Sequence, residues 1–154
     1  MIEVQNMKIA ILTPPQLKDD GDFTGNTYVD TAGWAHLRVL FIVGTTDVAA
    51  GDAIGSTAEG TAPFVEECDT AGGAYTAVTD AALADAIQYN EDDKLFAIDI
   101  DLAKTHKRYM RVNAPHSAAG AVNGSNLAIV GMLSRPSIGP KDAEGQGLTE
   151  WIVS

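Results

Sequence analysis

The chain is 154 residues long and carries 21 acidic against 10 basic side chains, a formal charge of -11, which sets long-range electrostatics against nucleic acid or an anionic membrane as a partner. A single domain of this length removes roughly 68 to 70 per cent of its unfolded surface from water without a disulfide or a metal, and the one cysteine, Cys68, cannot close an internal disulfide. No apolar run approaches the roughly 20 residues that cross a bilayer, and the N-terminus shows no basic region leading into an apolar core, so secretion by a signal peptide is not expected and assembly inside a cell is.

Ala, Gly, Thr and Asp are plentiful, which favours short strands joined by turns over long amphipathic helices. Residues 1–33 read as an extended arm: a short edge strand at Lys8 to Leu12, then Pro14, Pro15 and the turn Asp19-Asp20-Gly21-Asp22. Ile9, Ile11 and Leu12 need cover, either on the chain's own sheet or on a neighbouring subunit by strand addition, and the neighbour is the favoured site. From Ala35 to Val43 every second residue is apolar, while the opposite face runs from His36 and Arg38 to Leu40 and Ile42. This is a central strand partly covered on both faces, ended by Gly44.

Asp47 to Gly51 is a turn and Asp52 to Glu59 a weak strand of small residues. Thr61 to Cys68 is a clearer strand with Phe64 or Val65 inward, Asp69 to Gly73 a turn, and Ala74 to Val78 another short strand. Thr79 to Gln88 reads as the single helix, with Thr79 as cap, Asp80 at its positive end, and Leu83 and Ile87 four apart. Asn90 to Asp93 turns the chain into the clearest segment of all. There Phe96, Ile98, Ile100 and Leu102 alternate with Ala97, Asp99 and Asp101, and Tyr109 to Val112 alternates again before Pro115. The period predicts two strands, read as an antiparallel hairpin.

Ser117 to Ser125 is then a loop of small residues, and Leu127 to Ser134 a strand in which Gly131 permits close packing or a bulge. The remainder is a tail whose end, Trp151, Ile152 and Val153, is expected to dock. Each such side chain gains roughly 1.5 to 3 kcal/mol on full burial. About eight short strands at this spacing predict an all-β protein: an antiparallel β-sandwich, jelly-roll-like, over residues 34–135, with arms at 1–33 and 136–154.

Chemistry is sparse. Asp99 and Asp101 share a strand face and could begin a calcium site, but a solvated face explains them better and further ligands cannot be named. Asp19, Asp20 and Asp22 resemble part of a calcium loop that lacks its closing glutamate, since position 30 is an aspartate. His36, His106 and His116 have no metal spacing, no serine or cysteine sits in a nucleophile elbow, and no glycine loop leads into a lysine and helix. No cofactor, metal or catalytic activity is expected. Lys104, Lys107, Arg108 and Arg111 place four of the ten basic residues within eight positions. They are expected to pair either with Asp99 and Asp101 across the hairpin or with an acidic patch on another subunit.

The succession Lys94-Leu95-Phe96-Ala97-Ile98-Asp99-Ile100-Asp101-Leu102, then Lys107-Arg108-Tyr109-Met110-Arg111-Val112, then Leu127-Ala128-Ile129-Val130-Gly131-Met132-Leu133-Ser134-Arg135-Pro136 resembles small structural proteins of tailed bacteriophages. The match is closest to the jelly-roll decoration, or cement, proteins of phage heads and covers most of residues 34–136. It implies a homotrimer made in the host cytoplasm and seated on the outside of the head, clamping copies of the major capsid protein, with no catalytic residues. On that reading Ile9, Ile11, Leu12, Lys104, Lys107, Arg108, Arg111, Trp151 and Ile152 are the candidate interface. A carbohydrate-binding or adhesin-like module of a tail, neck or baseplate is the second hypothesis, with Trp34 and Tyr28 as stacking candidates.

Overall fold

The computed structural model describes residues 6–18, 23, 27–48, 52–55, 62–116 and 121–136. They form ten strands: β1 (Met7–Lys18), β2 (Val29–Asp30), β3 (Trp34–Val48), β4 (Asp52–Ile54), β5 (Phe64–Cys68), β6 (Thr76–Ala82), β7 (Ile87–Gln88), β8 (Leu95–Asp101), β9 (Tyr109–Asn113) and β10 (Ala121–Pro136). Among the described residues there is no helix.

One four-stranded sheet runs β1-β10-β3-β8, a second β2-β9-β5-β6, and β4 and β7 make a separate two-stranded ribbon. Every pairing is antiparallel. Within the two larger sheets the early strands pair with the late ones, β1 with β10, β2 with β9, β3 with β8 and β5 with β6, so successive pairs alternate between sheets. That is the order of a jelly roll, a long antiparallel ribbon wrapped into two layers. The expected all-β sandwich is therefore what the chain forms, with ten strands rather than about eight, the ribbon β4·β7 supplying the extra two.

The core lies between the sheets. Leu12, Leu37, Val39, Phe41, Ile98, Ile100, Leu127, Ile129 and Leu133 from the first sheet meet Val29, Val65, Val78, Met110 and Val112 from the second, all buried in one cluster. Val65, not Phe64, is the inward residue of β5. Two glycines are set by close approach. A Cβ at Gly131 would stand 3.2 Å from Leu12 Cδ1, so the missing side chain makes room for a core residue. A Cβ at Gly44 would stand 3.0 Å from Asn126 Cβ, so Gly44 lets β10 approach β3 and does not end the strand.

Several expectations are corrected. β8 and β9 are not a hairpin: β8 pairs with β3 in the first sheet, while β9 pairs with β5 and β2 in the second. After Asp101, whose carbonyl accepts the Lys104 N–H, the chain crosses the sandwich. Ile98 and Ile100 thus face Met110 and Val112 through the core, and alternation alone does not distinguish this from two strands side by side. The segment at Lys8 to Leu12 is not an arm seeking a neighbour. It belongs to β1, paired with β10 from Met7↔Ser134 to Lys18↔Ser125, and the second of its two register shifts, between Thr13 and Gln16, contains Pro14 and Pro15. Prolines are tolerated there because β1 is an edge strand and a bulge needs no donor.

The expected helix at Thr79 to Gln88 is replaced by β6, a bend and β7. Asp80 adopts a left-handed φ of 60°, Val78 and Ala81 both reach the core, and the Leu83 N–H bonds to the Pro63 carbonyl. A helix of so few turns gains too little from its own hydrogen bonds to compete with pairing that buries the same apolar residues. Finally, residues 121–125 are strand, not loop, because β10 continues alongside the extension of β3 past Gly44 to Val48.

Candidate interaction surface

The two layers turn different faces outward. On the first sheet the register places Ile11, Val130, Leu40 and Ala97 in one cross-strand row, with Ala128, Ile42 and Leu95 in the next. Their neighbours in sequence, Val39, Phe41, Ile129 and Ile98, point into the core, so period two turns these side chains to the outside. Ile11 (57%), Leu17 (56%), Ile42 (40%) and Leu95 (64%) are exposed. Between β1 and β3 lies an open depression of about 420 Å³ lined mainly by Pro15, Leu17, Ile42, Gly44, Leu127 and Ala128, together with the polar Gln16 and Asn126. Contiguous apolar surface of this kind is characteristic of contact sites.

The opposite end of this face is polar. Arg38 donates from Nε and Nη2 to both oxygens of Asp99, each at 2.9 Å, and this bidentate contact holds the Asp99 carboxyl below its ordinary value. His36 lies 3.0 Å from Asp99 through Nε2 and 3.0 Å from Ser134 Oγ through Nδ1. A serine, a histidine and an aspartate in line invite a catalytic reading. However, Ser134 sits within the ladder, opposite Met7 and His36, and Asp99 is already engaged by a guanidinium. The depression begins at Ile42, six residues along β3 from His36, or roughly 20 Å. The chain of contacts ties three neighbouring strands together.

The second sheet's outer side carries the basic cluster, and there both arginines and His106 meet acids. Arg108 donates to both oxygens of Asp30 at 2.8 and 2.7 Å, which lowers the Asp30 pKa, and its guanidinium lies 5.1 Å from the Tyr109 ring centre. Arg111 donates to Glu66 at 2.7 Å and stacks 4.2 Å above Tyr75, whose hydroxyl is pushed up mainly by burial. Glu67 accepts the Lys107 backbone N–H and contacts His106 Nδ1, both at 3.1 Å, while Lys107 Nζ donates to Thr76. Lys104 is exposed on the β8–β9 turn.

The expected pairing of this cluster with Asp99 and Asp101 is thus corrected: its acids are Asp30, Glu66 and Glu67, brought in by β2 and β5. Asp101 Oδ1 instead accepts the Ala103 N–H. Of the candidate interface, Ile9 is half-buried and Ile11 exposed on the outer apolar face, whereas Leu12 is a core residue. Trp151 and Ile152 lie outside the described residues, as do Asp19, Asp20 and Asp22. Among the described residues no three His, Cys, Asp or Glu side chains gather to hold a metal ion. Of the stacking candidates, Trp34 is half-buried against the core, and Tyr28 meets Tyr109 edge-on at 5.3 Å. Sequence reading noted that this face of β3 turns apolar at Leu40 and Ile42 but expected cover there, and it missed Leu17 and Leu95; alternation with core residues was the available signal on β3 and β8, whereas Leu17 lies between the half-buried Gln16 and Lys18. Compared with protein-family models, curated proteins and solved structures, the chain matches none.

Proposed function

We propose that this protein is a structural component of a phage particle, a decoration protein that binds the outside of the head and stabilises contacts between major capsid protein subunits. The observation that carries the reading is the apolar outer face around Ile11, Leu17, Ile42 and Leu95, on a sandwich whose other face pairs its arginines with acids. The sequence resemblance to head decoration proteins supplies the setting, including a homotrimer and a place on the capsid surface. A protein of this kind works through covered area: many copies, each adding a contact that exists only in the intact shell, shift the balance towards that shell by mass action.

The test is addition of the purified chain to expanded heads, read by co-sedimentation and by the temperature at which the heads release DNA. Binding with a raised release temperature supports the reading; a chain that stays in the supernatant refutes it. A glycan array on which the chain binds through Tyr28 or Trp34 would favour the adhesin alternative.

A further inference from the structure

Sheets end in strands with unpaired backbone groups, and proteins normally blunt such edges. Of the four outer strands of the two large sheets, three are blunted. β1 carries Pro14 and Pro15 within a register shift, β2 is two residues long, and β6 is broken by a register shift and by the left-handed Asp80. β8 is different. Its seven residues contain no proline and pair with β3 from His36↔Asp101 to Ile42↔Leu95 without a shift.

The bonds at its two ends show which groups point away from β3, and of these the Asp101 carbonyl already accepts the Lys104 N–H. The Val43 N–H bonds to the Lys94 carbonyl and the Leu102 N–H to the Ala35 carbonyl, so positions 94, 96, 98, 100 and 102 direct their backbone groups towards β3. Leu95, Ala97, Asp99 and Asp101 therefore direct theirs away from the sheet. We infer that β8 is a docking edge for a second copy of this chain, whose own β8 adds to it antiparallel about a two-fold axis at Ile98.

The occupant is argued from self-complementarity. About that axis the outward-directed residues meet only each other: Leu95 faces the second copy's position 101, and Ala97 its position 99. Each carboxylate stands opposite an aliphatic side chain and never directly opposite another carboxylate, and Asp99 is already compensated by Arg38. The paired edges would join two four-stranded sheets into one of eight strands, with both apolar faces on the same side. A contact of this symmetry links copies two by two, and between trimers it would link one trimer to the next. It is independent of the proposed function: a chain that pairs in this way yet ignores heads refutes that reading and leaves this one standing.

The experiment is light scattering on the full chain after size exclusion, over a range of concentrations, with Ala97 variants. Ala97→Pro removes an outward N–H without touching the β3 ladder, and its fold is checked by circular dichroism. Expected is an even-numbered assembly for the parent chain, halved in mass by Ala97→Pro. Expected too are tighter association for Ala97→Lys, opposite Asp99 of the second copy, and weaker association for Ala97→Asp. The two copies of each cross-strand charge pair make these changes about two- to thirty-fold. The same charges placed at Gly72, whose Cβ position is open space, control for net charge. A parent chain seen only as monomer or trimer, a folded Ala97→Pro variant of unchanged mass, or Ala97 charge variants that behave as the Gly72 controls do would each overturn the inference. If Ala97→Pro does not fold, the charge variants decide.

Discussion

The two sheets of the sandwich bury equivalent apolar faces but turn very different ones outward. On β2-β9-β5-β6, arginines and acids from strands distant in sequence meet as Arg108 with Asp30 and Arg111 with Glu66, and aromatic rings lie under both guanidiniums. On β1-β10-β3-β8, charge is confined to the Arg38–Asp99–His36 end, and the rest is Ile11, Leu17, Ile42, Leu95 and their half-buried neighbours. A face whose polar groups satisfy one another gains little by being covered, whereas exposed aliphatic surface gains roughly 25 cal/mol for each Å² removed from water. Within one small domain, therefore, the physical incentive to associate is concentrated on one side.

The largest effect should come from breaking the apolar side. Ile11→Lys with Ile42→Lys replaces two exposed aliphatics by charges, so thermal unfolding should be nearly unchanged while affinity for heads falls about a hundredfold or more, read by co-sedimentation. Next is Arg111→Met on the satisfied side. It leaves Glu66, whose side chain is only 12% exposed, without its cation, and should cost about 1 to 3 kcal/mol in denaturant unfolding with no loss of head binding. The reverse distribution, stability lost at Ile11 and Ile42 and binding lost at Arg111, would exchange the roles of the two faces.

Smaller effects sharpen the same contrast. Arg108→Ala breaks an exposed pair and should cost under about 1 kcal/mol. Acid acts on both faces at once. Asp30 and Asp99 are held below the ordinary carboxylate value of 3.8 by Arg108 and Arg38, so the folded chain binds fewer protons there than the unfolded one. The stability from these pairs is complete above about pH 4 and is lost as pH falls below 3.8 through the depressed values. Arg38→Gln combined with Arg108→Gln should flatten that part of a stability profile measured from pH 5 to pH 2.

Much of this was legible along single strands. The alternation of Leu37, Val39, Phe41 and Val43, and that of Ile98 and Ile100, states which side is buried, and Gly131 announces close packing. What period two does not carry is the identity of the neighbouring strand. Asp30 and Arg108 lie 78 positions apart and Glu66 and Arg111 lie 45 apart, so their pairing depends on the order β2-β9-β5. The same ignorance made a hairpin of β8 and β9, which share an inward pattern because they face each other. Pro14 and Pro15 suggested an arm when they mark a bulged edge, and Leu83 with Ile87 mimicked a helical pair across a bend. The exposed part of the apolar outer face was missed because it is assembled from four strands, of which β1, β3 and β8 contribute one or two exposed aliphatics each and β10 only half-buried ones.

The most direct measurement is hydroxyl-radical footprinting of side chains in the free chain and in the assembled particle. On this account Ile11, Leu17, Ile42 and Leu95 lose reactivity on assembly while Tyr28 keeps it. Protection of Tyr28 with Ile11, Leu17 and Ile42 still reactive would contradict it.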